Sequence, residues 1–184
     1  MNLLDAVNLI LPKLGEHSVT SLTLKHPTLA VVLPEVDNEL KVVLGRGWWF
    51  NEFDYTAYPD SEGGIVLGST ALTFTPKYPD TAVQRGTQLF NPSTLSYIFT
   101  APVEGRVRQY VPFDLLPESV AQYVWYSALV NIYVTDLGVT QEVAVWQSKA
   151  AAAYSDMLAE HLRQRKYSTK SSKKWHNLRR AMRA

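Results

Sequence analysis

Four acidic residues are neighbours of aromatic residues in the sequence: Glu52, Asp54, Asp60 and Glu62. Most glycosidases cleave the sugar bond with two carboxyl groups that face each other across a cleft. These residues therefore define one chemical hypothesis, a glycan hydrolase. The alternative is that they are ordinary solvated residues of turns and strands, because acids lie near aromatics in most proteins of this size. We favour the ordinary interpretation and keep the hydrolase as the alternative.

Other kinds of reactive site are not indicated by the sequence. The four histidines, at positions 17, 26, 161 and 176, occur singly and without the H-E-x-x-H spacing of a metal site. The absence of cysteine excludes disulfides, thiolate nucleophiles and cysteine-containing zinc sites. There is no nucleophile elbow, Walker P-loop or G-x-G-x-x-G motif. The sequence therefore predicts no catalytic residue, no metal site and no cofactor, and a protein that is not an enzyme.

The C-terminal end is strongly basic. After Glu160 there are nine Lys and Arg residues and no acid, whereas residues 1–162 hold nine bases and seventeen acids, a net charge of −8. Trp175, Leu178 and Met182 are spaced as on one face of a short helix. This end is interpreted as an arm that contacts nucleic-acid phosphates, an anchor for a groove on an acidic protein partner, or a solubilising end. The apolar spacing favours the protein groove.

Apolar residues spaced three and four apart predict four helices. The helices are predicted at residues 2–14, with Gly15 as the cap, at 27–44, from 114–118 to about 136, and at about 140–167. Asp114 is predicted to cap the third helix, with Pro117 and Glu118 in its first turn. The third helix is apolar nearly all round, which predicts that its own bundle or a neighbouring subunit encloses it.

Between the second and third helices the pattern changes to short alternating runs separated by turns. Strands are predicted at residues 65–67, 71–75, 84–90, 97–100 and 107–111, with a turn at 91–94, and a short extended piece at 19–24. The predicted fold class is α+β: an antiparallel bundle of about four helices with a small inserted antiparallel β domain and a basic C-terminal extension.

The predicted domains are a helical bundle of residues 1–47 and 114–167, a β-rich insert of residues 48–113, and a basic arm of residues 168–184. Trp48, Trp49 and Phe50 are predicted to seal the joint between bundle and insert, because three adjacent aromatics bury a large apolar area. The composition, 46% hydrophobic and 19% charged, is typical of a globular protein, and no apolar run has the length of a membrane span. The first residues lack a secretory signal, so folding in the cytoplasm is expected.

Several short motifs follow one another in an order that resembles one family. They are Leu4-Asp5-Ala6-Val7-Asn8, Leu14-Gly15-Glu16, Arg46-Gly47-Trp48-Trp49-Phe50-Asn51, Leu89-Phe90-Asn91-Pro92, Val107-Arg108-Gln109-Tyr110-Val111-Pro112-Phe113 and Leu116-Pro117-Glu118. In order and spacing they are similar to the tail tubular protein A family of podoviruses, the head-to-tail adaptor or gatekeeper. The resemblance covers residues 4 to about 166.

The resemblance implies a structural protein of the virion, located at the head-to-tail junction after assembly in the host cytoplasm. It would form a ring of twelve copies between the portal protein and the nozzle, tail tubular protein B. Genomic DNA would pass through the lumen without specific binding. The alternatives are a virion-associated glycan hydrolase and a DNA-binding accessory protein.

The resemblance implies that the C-terminal segment reaches toward the portal, and two sets of contact residues are hypothesised on this basis. The C-terminal segment would reach the portal, through Arg163, Arg165, Lys166, Lys173, Lys174, Trp175, Leu178, Arg179, Arg180 and Met182. The loops of the β insert would meet the nozzle or neighbouring subunits, through Asp60, Glu62, Asn91 and Ser93.

Overall fold

The computed structural model describes residues 1–138 and 141–165, which form four α-helices and five β-strands. The helices are α1 (Leu3–Ile10), α2 (Pro27–Gly45), α3 (Glu118–Leu137) and α4 (Gln141–Gln164), with 3₁₀ turns at Leu11–Leu14 and Phe113–Leu115. The strands are β1 (Glu52–Ala57), β2 (Ala71–Pro76), β3 (Val83–Arg85), β4 (Gln88–Phe90) and β5 (Val103–Gln109). The predicted α+β class, a helical bundle with a small antiparallel β part, is confirmed.

Both ends of the first helical segment are capped. Asn2 accepts a hydrogen bond from the amide of Asp5 at 2.7 Å, and Gly15, with φ +81°, closes the 3₁₀ turn in the left-handed conformation. Asp114 accepts a hydrogen bond from the amide of Leu3 at 2.6 Å. The prediction that Asp114 caps α3 was therefore wrong, because the 3₁₀ turn that contains it directs its carboxylate to α1.

Helix α3 is the centre of the bundle and contacts α4, α2 and α1. Its fully buried residues include Val120, Val124 and Leu129, and complete burial of such a side chain contributes about 1.5–3 kcal/mol. The buried apolar residues of α3 thus pack within its own bundle, whereas Tyr123, Tyr126 and Val130 are half-buried and Val134 is 40% exposed. Burial of this second side by a neighbouring subunit stays a prediction. None of the helices in the described part of the chain combines the length and the apolar character that crossing a membrane requires.

The β part contains a three-stranded sheet in the order β1-β5-β2 and a two-stranded hairpin of β3 and β4, all antiparallel. The single strand predicted at 84–90 was wrong, because Gly86, with φ +63°, turns the chain back into the hairpin. The predicted strands at 65–67 and 97–100 contribute only isolated bridges, through Val66 and Ile98. The strand predicted at 107–111 begins earlier, at Val103, and ends at Gln109.

The extended piece predicted at 19–24 was also wrong. The side chain of Asn8 bonds both backbone groups of Val19, at 2.8 and 2.9 Å, and a turn follows at Leu22 and Thr23. The backbone groups that would have joined a strand are therefore taken by an amide of α1.

Buried apolar side chains fall into two clusters. One lies among the helices and includes Trp48; the other lies between the sheet and the hairpin and includes Phe74 and Leu89. The domain boundaries drawn from the sequence stay a prediction.

Candidate functional site

The segment between α2 and β1 is held by a buried amide. Asn51 is completely buried; its Oδ1 accepts from the amide of Trp48 at 2.8 Å, and its Nδ2 donates to the carbonyls of Leu44 and Gln109 at 2.9 and 3.0 Å. The indole Nε1 of Trp48 donates to the carbonyl of Val43 at 2.7 Å. One amide side chain thus joins the end of α2 to the end of β5, and its hydrogen-bonding groups are satisfied.

The C-terminal half of α4 packs on this segment through aromatic rings. His161 lies with its ring centroid 5.2 Å from Trp48 and 5.9 Å from Trp49, and Tyr154 lies 6.3 Å from Trp48. Burial lowers the pKa of His161, and the positive charge of Arg165 lowers it further, while Glu52 acts in the opposite direction. His161 is therefore a neutral packing residue at pH 7.

Glu52, the first residue of β1, is hydrogen-bonded to two arginines, and the guanidinium of a third, Arg106, lies 3.7 Å away. Arg108 Nε and Arg165 Nη2 lie 2.9 and 2.7 Å from its carboxylate, which is 9% exposed. Burial raises the pKa of Glu52, but the hydrogen bonds from Arg165 and Arg108 outweigh burial, so the pKa lies below its ordinary value. Gly47, with φ +78°, lies against this pair, and a Cβ there would collide with the side chains of Glu52 and Arg108.

The face of the sheet that carries Glu52 has acidic side chains on β1 and basic side chains on β5. Glu52 is opposite Arg108, and Asp54 is opposite Arg106, with Arg106 Nε 3.4 Å from Asp54 Oδ1. We name these four residues the charged face. Opposite charges in such cross-strand pairs contribute roughly 0.2–1 kcal/mol each, so the charged face adds modestly to sheet stability.

The candidate glycosidase acids can be compared with this geometry. Glu52 and Asp54 lie two residues apart on the charged face and line a cleft of about 240 Å³ together with Trp49, Arg106 and Arg165. A general acid requires a raised pKa, whereas that of Glu52 is lowered by its two arginines. Asp60 and Glu62 belong to a loop beyond the opposite end of β1. The arrangement thus favours ion pairing over acid catalysis.

The described residues contain no group of three or more histidine or acidic side chains placed to hold a metal ion. The candidate functional site is therefore taken as Glu52 with the arginines that bind it.

The loop residues predicted as contacts lie in two turns of similar construction. Asp60 Oδ1 accepts from the amides of Glu62 and Gly64 at 2.9 and 2.8 Å. Asn91 Oδ1 accepts from the amide of Ser93 at 2.9 Å. An antiparallel bridge between Gly64 and Ile98 brings the two loops side by side. The side chains of Leu95 and Ile98, 78% and 59% exposed, extend this surface.

Of the predicted portal set, Arg163 lies in the last turn of α4 and Arg165 directly follows the helix. Arg163 is exposed and donates to the carbonyl of Ala159 at 3.3 Å, whereas Arg165 binds Glu52. The other eight residues of that set lie outside the described residues: Lys166, Lys173, Lys174, Trp175, Leu178, Arg179, Arg180 and Met182.

The roles of Asn51 and Arg108 were not predicted. A sequence signal for the charged face was nevertheless present. Residues two apart lie on the same face of a strand, and this is the spacing of the acids at 52 and 54 and of the arginines at 106 and 108. No local pattern distinguishes Asn51, because its partners at Leu44 and Gln109 meet it only in the folded chain.

Comparisons with known proteins agree over almost the whole chain. The family model described as tail tubular protein matches residues 4–167, a range that contains all five strands and helices α2 to α4. Tail tubular protein A of Klebsiella phage KP34 is similar, with 28% identity over 182 residues that cover 98% of each chain.

Proposed function

Since the chain belongs to the tail tubular protein family, whose members are structural proteins of the phage tail, we propose that it is the adaptor between the portal and the nozzle of a podovirus. Twelve copies form a ring at the head-to-tail junction, and genomic DNA passes through its lumen during ejection. The observation that carries this proposal is the family match over residues 4–167.

In this proposal the portal is bound by the end of α4 and the basic arm that follows. The Arg165–Glu52 pair supports this assignment, because it fixes the last described residue of the chain on the sheet. The arm, residues 168–184, carries six bases and no acid, which suits an acidic portal surface. Arg163, five residues before the arm in sequence, is exposed.

The opposite contact, with the nozzle or a neighbouring subunit, is assigned to the loops that contain Asp60, Glu62, Asn91 and Ser93. Their support is the side-by-side placement of two closed turns together with the exposed side chains of Leu95 and Ile98. Exposed apolar side chains next to ordered turns are typical of protein contact sites.

The proposal includes no catalytic step and no cofactor. Glu52 has its pKa lowered by two arginines, and this favours a structural role over glycan hydrolysis. The net charge of −8 over residues 1–162 supports a lumen that repels DNA, so that the duplex slides without adhering.

Portal rings purified from the same phage test the proposal. The chain lacking residues 168–184 is expected to fold and to lose portal binding, whereas a full-length control with Lys77 and Arg85 changed to Ala is expected to bind normally. Undiminished binding by the shortened chain would refute the arm assignment. A DNA shift assay at rising salt separates the adaptor from a DNA-binding protein, and images of the portal complex reveal whether twelve copies bind.

A further inference from the structure

The two edges of the three-stranded sheet differ in a way that points to a binding surface. The order β1-β5-β2 leaves β1 and β2 as the outer strands. An outer strand presents backbone N–H and C=O groups to which another strand can add, and proteins usually block such edges with bulges, proline or a covering segment.

The β2 edge is blocked. Its pairing with β5 shifts register between Ala71 and Thr73, and Pro76 ends the strand. The side chain of Gln84, from β3, accepts a hydrogen bond from the amide of Phe74 at 2.6 Å. An incoming strand would have to displace Gln84, so β2 is not available for pairing.

From Phe53 to Ala57 the β1 edge has no bulge and no proline, and only at its first residue, Glu52, does Arg165 from the end of α4 bind the side chain. The strand pairs with β5 without a register shift over six residues and contains neither proline nor glycine. The amide of Gln109 donates to the carbonyl of Asn51 at 2.8 Å, so these two residues form a hydrogen-bonded pair of the antiparallel ladder. From this pair onward, every second residue of β1 directs its backbone groups to β5. The backbone groups of Phe53, Tyr55 and Ala57 therefore point to β5, and those of Asp54 and Thr56 point outward. Among the described residues, no hydrogen bond uses these outward groups.

The side chains of β1 define what an added strand would need. Phe53 and Tyr55 lie on one face of the edge, 46% and 42% exposed. On the charged face, the Asp54 side chain is 91% exposed. Glu52 is 9% exposed and already bound by two arginines, so Asp54 is the acid of this strand that an added strand would meet. A basic residue opposite Asp54 would match its charge. Apolar residues at the alternate positions would cover Phe53 and Tyr55.

We propose that β1 is a docking edge for an extended segment of a partner protein in which basic and apolar residues alternate. The segment adds to the sheet by hydrogen bonds to the backbone of Asp54 and Thr56, a mode of recognition known as β-augmentation. Its basic side chains face Asp54, and its apolar side chains cover Phe53 and Tyr55. The inference depends on the sheet alone and not on the proposed adaptor role.

The test uses the full-length chain and a synthetic ten-residue peptide in which Lys alternates with Val. The control peptide has the same composition with its lysines grouped at one end. Hydrogen exchange is read at single amides by NMR. The alternating peptide is expected to slow exchange at Asp54 and Thr56 by about tenfold or more at saturation, while the amides of Phe53 and Tyr55, which already pair with β5, change little.

Two variants connect the effect to the edge. Thr56→Pro removes an outward N–H without removing a bond to β5, and prolines are tolerated on edge strands. Asp54→Lys reverses the charge that selects the partner. Both are expected to weaken peptide binding at least tenfold, whereas Asp156→Lys, the same charge change on the exposed face of α4, is expected to have no effect.

Each result decides the question. Equal protection by both peptides, or none by either, would overturn the proposal. Slow exchange at Asp54 and Thr56 in the free, dilute chain would also overturn it, because another part of the same chain would then cover the edge. Protection that appears only as the concentration of the chain rises would instead assign the edge to a second copy. Should Thr56→Pro fail to fold, Asp54→Lys gives the decision.

Discussion

Arg165 Nη2 lies 2.7 Å from Glu52 Oε1 and ties the last described turn of α4 to the first residue of β1. The chain between these residues includes the rest of the sheet and all of α3, so the pair closes a long loop. It lies beside the contact of His161 with Trp48 and Trp49. The end of α4, the sheet and the aromatic segment therefore form one connected junction.

Loss of the Glu52 charge should destabilise the protein in a pH-dependent manner. Its folded pKa is lowered by Arg165 and Arg108 against the effect of burial, so the stabilisation is present above the ordinary glutamate pKa and is lost as the pH falls through the folded value. Glu52→Gln is expected to lower the free energy of unfolding by about 2 kcal/mol at pH 7. Urea denaturation followed by tryptophan fluorescence should show this deficit shrinking below about pH 4.

The control for this measurement is Glu62→Gln, which removes an exposed carboxylate from the Asp60 loop. A deficit for Glu52→Gln that is the same at pH 3.5 and pH 7 would contradict the ion-pair explanation.

His161 should make the wild-type protein sensitive to mild acid. Burial lowers its pKa in the folded chain, so the unfolded chain takes up the proton first, and stability falls as the pH drops below about 6.5. His161→Phe keeps an aromatic ring beside Trp48 and is expected to lose less stability than the wild type between pH 7 and pH 5. His17→Phe, at an exposed position, serves as the control.

The charge of Arg165 offers a second measurement on the same histidine. Arg165→Gln removes a positive charge that lowers the His161 pKa, so NMR titration of the imidazole should give a higher pKa in the variant. An unchanged or lower value would show that Arg165 does not act on His161.

Substitution of Asn51 should destabilise the protein more than substitution of most other polar residues. Asn51→Leu leaves the amide of Trp48 and the carbonyls of Leu44 and Gln109 buried without their partner, which is expected to cost about 3 kcal/mol of unfolding free energy. The matched control, Asn38→Ala on the exposed side of α2, should change stability by less than about 0.5 kcal/mol. Similar denaturation midpoints for the two variants would refute the assigned role.

Gly105 should tolerate no side chain. A Cβ at this position of β5 would collide with the ring of Phe74 and the carbonyl oxygen of Thr75. Gly105→Ala is expected to destabilise by about 2 kcal/mol, and Phe74→Leu in the same chain should relieve part of that penalty. Gly68→Ala, where a Cβ meets open space, is the control in the same thermal unfolding series. Equal melting temperatures for the two alanine variants would contradict the collision.

The helices were predictable because their signal is local. Apolar spacing placed the second helix at 27–44, and α2 spans Pro27–Gly45. The strand boundaries were harder to predict. Gly105 interrupts the alternation of apolar and polar residues, so the start of β5 at Val103 was missed. Gly86 forms a turn within a run of residues that otherwise resembles one strand.

Contacts between residues far apart in the sequence could not be predicted from local patterns. Asp114 looked like the cap of the helix that follows it but accepts a hydrogen bond from the amide of Leu3, 111 residues earlier in the sequence. Arg165 was predicted as a portal contact, and only the fold brings it to Glu52. The predicted portal and nozzle contacts stay predictions.

The unequal edges of the sheet limit how the protein can aggregate. A fibril grows because each added strand exposes a new edge like the one it covered. Here Gln84 closes the β2 side, so two molecules that met through β1 would leave only closed sides and growth would stop at the pair. Pairing through β1 therefore ends with two sheets and does not continue into a fibril.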